Sequence, residues 1–197
     1  MLQASHPLNV PHTYPIADKL GKDLEAVRLA QKALYQLKKE SALDILAFNV
    51  VIHSFAYNGE FGDAMETFGR AAELGVTINL ETIHAALDAC IHAKEAIIGV
   101  KIFEKYVQGD LAPNATTMSK MVTLMCSQDD YEDAFKYLEQ MKSMGFVPLR
   151  GCYYRLVKKL ASKQDSRLQI ALDDMKACGY ELTSYVQVYL ERHAPRY

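Results

Sequence analysis

Hydrophobic positions between residues 45 and 79 recur in the three- and four-residue steps of an amphipathic helix, which places Phe48, Val51, Ile52 and Phe55 on one face. Asn58-Gly59 is a stop signal, because glycine takes the left-handed conformation that a helix end needs. A second helix is predicted to follow, with Ala64, Met65, Phe68, Ala71 and Ala72 inward and Gly75 at its end. The predicted unit is a helix hairpin that cannot bury its own apolar face.

A shift of 35 residues repeats the pattern. Phe48 falls on Ile83, Val51 on Ala86, Ala64 on Gly99, Phe68 on Phe103, Ile78 on Pro113 and Asn79 on Asn114. A second shift carries these to Met118, Met121, Ala134, Leu138, Pro148 and Leu149, and Gly75 recurs as Gly145. Units 45–79, 80–114 and 115–149 therefore share register without a gap. A fourth, 150–183, sets Tyr153 under Phe48 and loses one residue before Met175–Gly179, which mirrors Met141–Gly145.

SYVQVYLERH, within residues 184–197, reads as a capping helix with a short tail. Upstream, GKDLEAV (Gly21–Val27) parallels GEFGDAM (Gly59–Met65), so residues 15–44 read as a degenerate first unit whose second helix overruns. Residues 1–14 read as an N-terminal extension. Stacked hairpins of this kind build one continuous core, shielded at the ends by edge helices.

These units resemble the pentatricopeptide repeat, whose pattern is aromatic-Asn-x-Leu-Ile, a Gly turn, Glu-Ala, Leu-Phe, Met-x-x-x-Gly and Pro-Asp. Here it stands as Phe48-Asn49-Val50-Val51-Ile52, Gly59, Asp63-Ala64, Phe68, Gly75 and Asn79, then again as Pro113-Asn114 and as Asp133-Ala134, Met141, Gly145 and Pro148. The resemblance covers about residues 15–183. It implies an all-α fold, a right-handed α-solenoid of about 35-residue helix-turn-helix repeats. The Trp/Leu-Gly/Tyr signature of the 34-residue tetratricopeptide repeat is missing.

Members of that family bind single-stranded RNA in mitochondria or plastids, with one base per repeat read by a few side chains. Carried onto this sequence, the reading pairs are Asn49 with Asn79, His84 with Asn114, Ser119 with Leu149, and Tyr154 with Thr183. Asn49 with Asn79 matches a usual pyrimidine-preferring pair, since an amide presents donor and acceptor together. The small aliphatic residue that packs on bases is replaced by Leu46, Glu81, Thr116 and Gly151. A lysine common near the end of the first helix gives way to Tyr57, His92, Ser127 and Ser162. The resemblance therefore implies weak or sequence-tolerant RNA contact.

The formal charge of −2 supplies no overall drive toward a polyanion. The distribution is uneven, however. Residues 1–79 hold seven basic and nine acidic side chains, residues 80–149 hold six and ten, and residues 150–197 hold nine and five. RNA should prefer the last quarter. There RGCYYRLVKKLASK (Arg150–Lys163) carries five cations and no acid, with Tyr154 among them. Arg150, Tyr154, Arg155, Lys158, Lys159 and Lys163 are the predicted RNA contacts, because a ring for stacking beside cations for phosphate suits a single strand.

Four-residue steps place Asn49-His53-Tyr57, His84-Asp88-His92, Ser119-Thr123-Ser127 and Tyr154-Lys158-Ser162 on inner stripes, predicted to line a polar concave face. Cys90, Cys126, Cys152 and Cys178 form no CxxC pair and read as small buried hydrophobes. His84 and His92 stand about 12 Å apart on a helix, too far for one zinc ion. No cofactor, nucleotide-loop or triad pattern stands out, so a non-enzymatic protein is expected.

No apolar run reaches the ~18 residues of a membrane span. Residues 1–15, loop-like with three prolines, contain no arginine and show no presequence. The expected role is a subunit of a mitochondrial ribonucleoprotein such as the mitoribosome, touching single-stranded or structured RNA and other protein subunits. The alternative is a protein-binding scaffold without RNA contact.

Overall fold

The computed structural model of the chain describes residues 13–36, 45–107 and 111–193. Most of the N-terminal extension, the overrun of the first unit's second helix and the last four residues of the tail lie outside them. The described residues form helices in two compact units, 1–93 and 94–197. The first contains α1 (Thr13–Leu20), α2 (Leu24–Gln36), α3 (Ile45–Tyr57), α4 (Phe61–Glu73) and α5 (Leu80–Ala93). The second contains α6 (Ala96–Ile102), which runs into a π-helical turn (Phe103–Val107), then α7 (Ala115–Cys126), α8 (Glu132–Ser143), α9 (Arg150–Ser162), α10 (Leu168–Ala177) and α11 (Ser184–His193).

Two details depart from the sequence pattern. Residues 13–15, read as loop, open α1. Pro15 lies in the first turn, where the N–H it lacks would have no helical partner. The boundary at 93/94 also divides the stretch read as one unit at 80–114.

The register is written into the core. Phe48, Ile83, Met118 and Tyr153 are each 0% exposed. Three residues on, Val51, Ala86, Met121 and Leu156 are all buried, and so are Phe55, Cys90, Met125 and Leu160. On α4, Ala64, Phe68 and Ala71 are buried as predicted, whereas Met65 is half-buried and Ala72 exposed. Those two lie to one side of the Ala64–Phe68–Ala71 stripe, rotated toward water.

Within the first unit, α1, α3 and α5 lie side by side. Ser54 Oγ donates to the Ala17 carbonyl (3.2 Å) and Asn58 Nδ2 to the Gly21 carbonyl (2.7 Å). His92 Nδ1 lies 2.7 Å from the Ala56 carbonyl. These contacts join positions 36 or 37 residues apart near the ends of each helix, so the three helices run parallel.

In the second unit, Arg167 makes a two-pronged contact with Glu132 (2.7 and 2.9 Å) and also reaches Asp165 (2.6 Å), tying the start of α8 to the start of α10. Asp174 binds the Tyr153 hydroxyl (2.6 Å) and Lys142 (2.7 Å), linking α8, α9 and α10.

Candidate nucleic-acid interface

Asn49, on α3, meets Asn79, at the entry to α5, through Nδ2 and Oδ1 3.5 Å apart. The structure thus brings together the two side chains of the predicted reading pair. Asn49 is fully buried, and its Oδ1 accepts no hydrogen bond from the protein. Asn79 has a second task. Its Oδ1 accepts from the Thr82 N–H (2.9 Å) and hydroxyl (2.9 Å), capping α5. Asn114 and Thr117 repeat that arrangement as a capping box at the start of α7, 35 residues later. Leu149, at the same place before α9, provides no side-chain cap.

The inner stripes are more enclosed than predicted. His53, His84 and Ser119 are buried along with Asn49, because these side chains fall where neighbouring helices pack rather than on an open face. Glu81, 6% exposed, lies between two imidazoles, with Oε1 3.2 Å from His53 Nε2 and Oε2 3.7 Å from His84 Nδ1. Burial alone would push its pKa up. Hydrogen bonds and charge attraction from His53 and His84 outweigh burial and bring it down to about 2. His53 Nδ1 also lies 3.6 Å from Asp88 Oδ2. This seam presents anionic charge and imidazoles, and phosphate would be repelled by it.

The basic helix α9 has a different character. Its cations divide between two faces. On one, Arg150, Tyr154 and Lys158 follow four-residue steps. The Arg150 guanidinium stands 5.8 Å over the Tyr154 ring, whose hydroxyl donates to the Glu181 carbonyl (2.6 Å). Lys158 Nζ lies 4.8 Å from the Tyr185 ring centre and 4.6 Å from that of Tyr189, both on α11, and donates to the Tyr185 hydroxyl (3.2 Å). Arg150 and Tyr154 line a cleft of about 430 Å³ with residues 179–183, at the N-terminal end of α9, where the helix dipole favours anions.

Lys159 and Lys163 turn to the other face. Lys159 Nζ stands 5.4 Å over the Tyr131 ring, and Lys163 lies 3.8 Å from Asp129. Arg155 is exposed. The predicted patch is therefore a stripe of Arg150, Tyr154 and Lys158, with Lys159 and Lys163 set apart from it. Tyr185 and Tyr189, which flank this stripe, are not among the predicted contacts. Their own four-residue step, beside that of Tyr154 and Lys158, was the available signal.

The thiols fit a packing role. Cys90, Cys126 and Cys152 are buried, and Cys178 is half-buried. Burial raises the pKa of Cys126 to about 12 and that of Cys152 to about 11, which leaves both un-ionised and inert at neutral pH. Among the described residues, no three His, Cys, Asp or Glu side chains are arranged to hold a metal ion, and no helix is long and apolar enough to cross a membrane.

Comparison with known proteins gives a consistent result. The family description "Pentatricopeptide repeat-containing protein" matches residues 1–71, and "PPR repeat" matches residues 116–146. One mitochondrial pentatricopeptide repeat-containing protein of Arabidopsis thaliana is 24% identical over 172 residues, covering 83% of this chain and 26% of the relative. Another is 25% identical over 158 residues, covering 77% and 25%. The chain thus spans about a quarter of the length of these relatives.

Among solved structures, pentatricopeptide repeat protein PPR10 in complex with an 18-nucleotide psaJ RNA element superposes with a TM-score of 0.74. It is 20% identical and covers 90% of this chain and 26% of that one. The pentatricopeptide domain of Arabidopsis thaliana protein-only RNase P 1 in complex with tRNA gives 0.68 at 16% identity, covering 92% and 94%. At these identities the likeness establishes the fold, an all-helical solenoid. With the repeat register, its buried core and the family matches in agreement, this chain belongs to the pentatricopeptide repeat family.

Proposed function

We propose that this chain is a non-enzymatic, RNA-associated subunit of a mitochondrial ribonucleoprotein such as the mitoribosome, with sequence-tolerant RNA contact through α9. The observation that carries this reading is the stripe of Arg150, Tyr154 and Lys158 beside Tyr185 and Tyr189. It offers cations for phosphates and rings for bases, next to a helix N-terminus. Solved relatives crystallised with RNA and relatives named as mitochondrial support the reading.

Sequence tolerance follows from the other reading positions. Asn79 is engaged as a helix cap, Glu81 is locked between histidines, and Leu149 has no polar group in its side chain. The test is the salt dependence of binding to a short single-stranded RNA. Each cation on a phosphate contributes roughly 0.7 to the slope of log affinity against log salt. Arg150→Ala with Lys158→Ala should lower the slope by about 1.4 and the affinity with it. An unchanged slope would remove α9 from the interface.

One observation favours a second reading, a protein-binding scaffold. The inner seam of the first unit is anionic and closed by its own hydrogen bonds. A chain that retains RNase-resistant association with protein partners while losing nothing on removal of the α9 cations would follow that reading instead.

A further inference from the structure

A cleft of about 510 Å³ opens at one edge of the first unit, where α1, α3 and α5 end. Its walls are Ala17 and Asp18 from the last turn of α1, Ala56 and Tyr57 from the last turn of α3, and Asp88 and His92 from α5, with His53 behind. We propose that this cleft binds the guanidinium of an arginine side chain presented by a protein partner. The inference concerns the unit that lacks the basic stripe and does not rest on the RNA reading of α9.

Four observations converge on that occupant. First, the three helices are parallel, so their carbonyl ends point to the same edge and each carries partial negative charge. Second, Asp18 and Asp88 place carboxylates on the wall, and the buried Glu81 anion lies behind His53, 3.2 Å from its Nε2. These carboxylates favour a cation at the wall, which they share with the imidazoles of His92 and of His53, 3.6 Å from Asp88. Third, the Tyr57 ring is 59% exposed while one edge rests against Gly21, where a Cβ would approach its Cδ1 to 3.4 Å. An exposed aromatic ring in the wall offers a stacking surface, which favours guanidinium over ammonium. Fourth, the floor is made of Ala17 and Ala56, whose small side chains leave room for a long side chain.

The walls are fixed in place. Ser54 and Asn58 hold α1 to α3, and His92 holds α5 to α3 through the Ala56 carbonyl. Asp18 is paired with Lys22 at 3.3 Å, both side chains being more than half exposed. Such a surface pair is worth little and exchanges readily. Phosphate is disfavoured by the same carboxylates that attract a guanidinium.

The test uses the full chain, isotope-labelled, with N-acetyl-arginine amide as the probe and nuclear magnetic resonance as the readout. Saturable shifts are expected at Ala17, Ala56 and His92, with a dissociation constant on the order of millimolar, as suits a single side chain. N-acetyl-citrulline amide, neutral and nearly the same shape, should bind about fivefold more weakly or worse. Asp18→Asn and Tyr57→Ala, both at exposed side chains and so without cost to the fold, should each weaken binding about two- to fivefold. Equal binding of citrulline and arginine would overturn the proposal, as would shifts absent from these residues. Tighter binding of guanosine monophosphate than of the arginine probe would also overturn it, and would make the cleft a nucleobase slot.

Discussion

At one register position of successive repeats stand His53 and Asp88 in the first compact unit, and Thr123 and Lys158 in the second. The backbone around them is the same helix hairpin, and the buried positions on either side match. Their surroundings differ. His53 and Asp88 belong to a seam of imidazoles and carboxylates around the buried Glu81. Lys158 reaches outward between two tyrosine rings. Apolar positions every 35 residues build the core within each unit, and the inner side chains are left to set its chemistry.

If the core positions are equivalent, they should fail equally. Phe48→Ala in the first unit and Tyr153→Ala in the second should each cost about 3–5 kcal/mol in chemical denaturation. Tyr153→Phe, which removes only the hydroxyl bonded to Asp174, should cost about 1 kcal/mol. A large effect at one position and none at the other would break the equivalence.

The chemistry that separates the units should show in acid. Glu81→Gln keeps the shape but loses the charge between His53 and His84, and should cost about 2–3 kcal/mol at neutral pH. The carboxylate's folded pKa is depressed. Its contribution is therefore complete above the ordinary value of 4.5 and is lost as pH falls toward about 2. Melting curves of the two proteins should converge over that window. A gap that does not change with pH would show that the charge is not what stabilises the seam.

Smaller effects separate the units at helix ends. Gly59 and Gln164 occupy equivalent turns, 105 residues apart, with φ of 75° and 52°. Gln164→Gly should stabilise the second unit by about 0.5–1 kcal/mol, and Gly59→Gln should destabilise the first by about 1 kcal/mol, because only glycine takes that conformation without strain. Two changes of the same sign would contradict the shared geometry. The smallest effect concerns the missing cap. Leu149→Asn should add about 0.5–1 kcal/mol by supplying α9 with the side-chain acceptor that Asn114 gives α7.

Much of the fold was legible in the sequence, because a repeat restates its pattern. Phe48, Ile83, Met118 and Tyr153 could be placed in equivalent buried sites from spacing alone. The surroundings of the inner side chains could not. Whether Asn49 is open to solvent depends on how closely α3 and α5 approach, which its own helix does not encode. The capping role of Asn79 is legible in the sequence as Asn79-x-x-Thr82 and its repeat Asn114-x-x-Thr117, a pattern that competes with base reading for the same side chain. The basic run 150–163 covers every side of a helix, so composition could not separate Arg150 and Lys158 from Lys159 and Lys163.

The proposal that RNA meets α9 is tested most directly by ultraviolet crosslinking of the protein in its native source, followed by mass spectrometric mapping of the crosslinked residues. Crosslinks are expected in peptides containing Tyr154, Tyr185 and Tyr189, and they should disappear when Arg150 and Lys158 are both alanine. Crosslinks confined to α3 and α5, or a pattern unchanged by the two substitutions, would contradict the account.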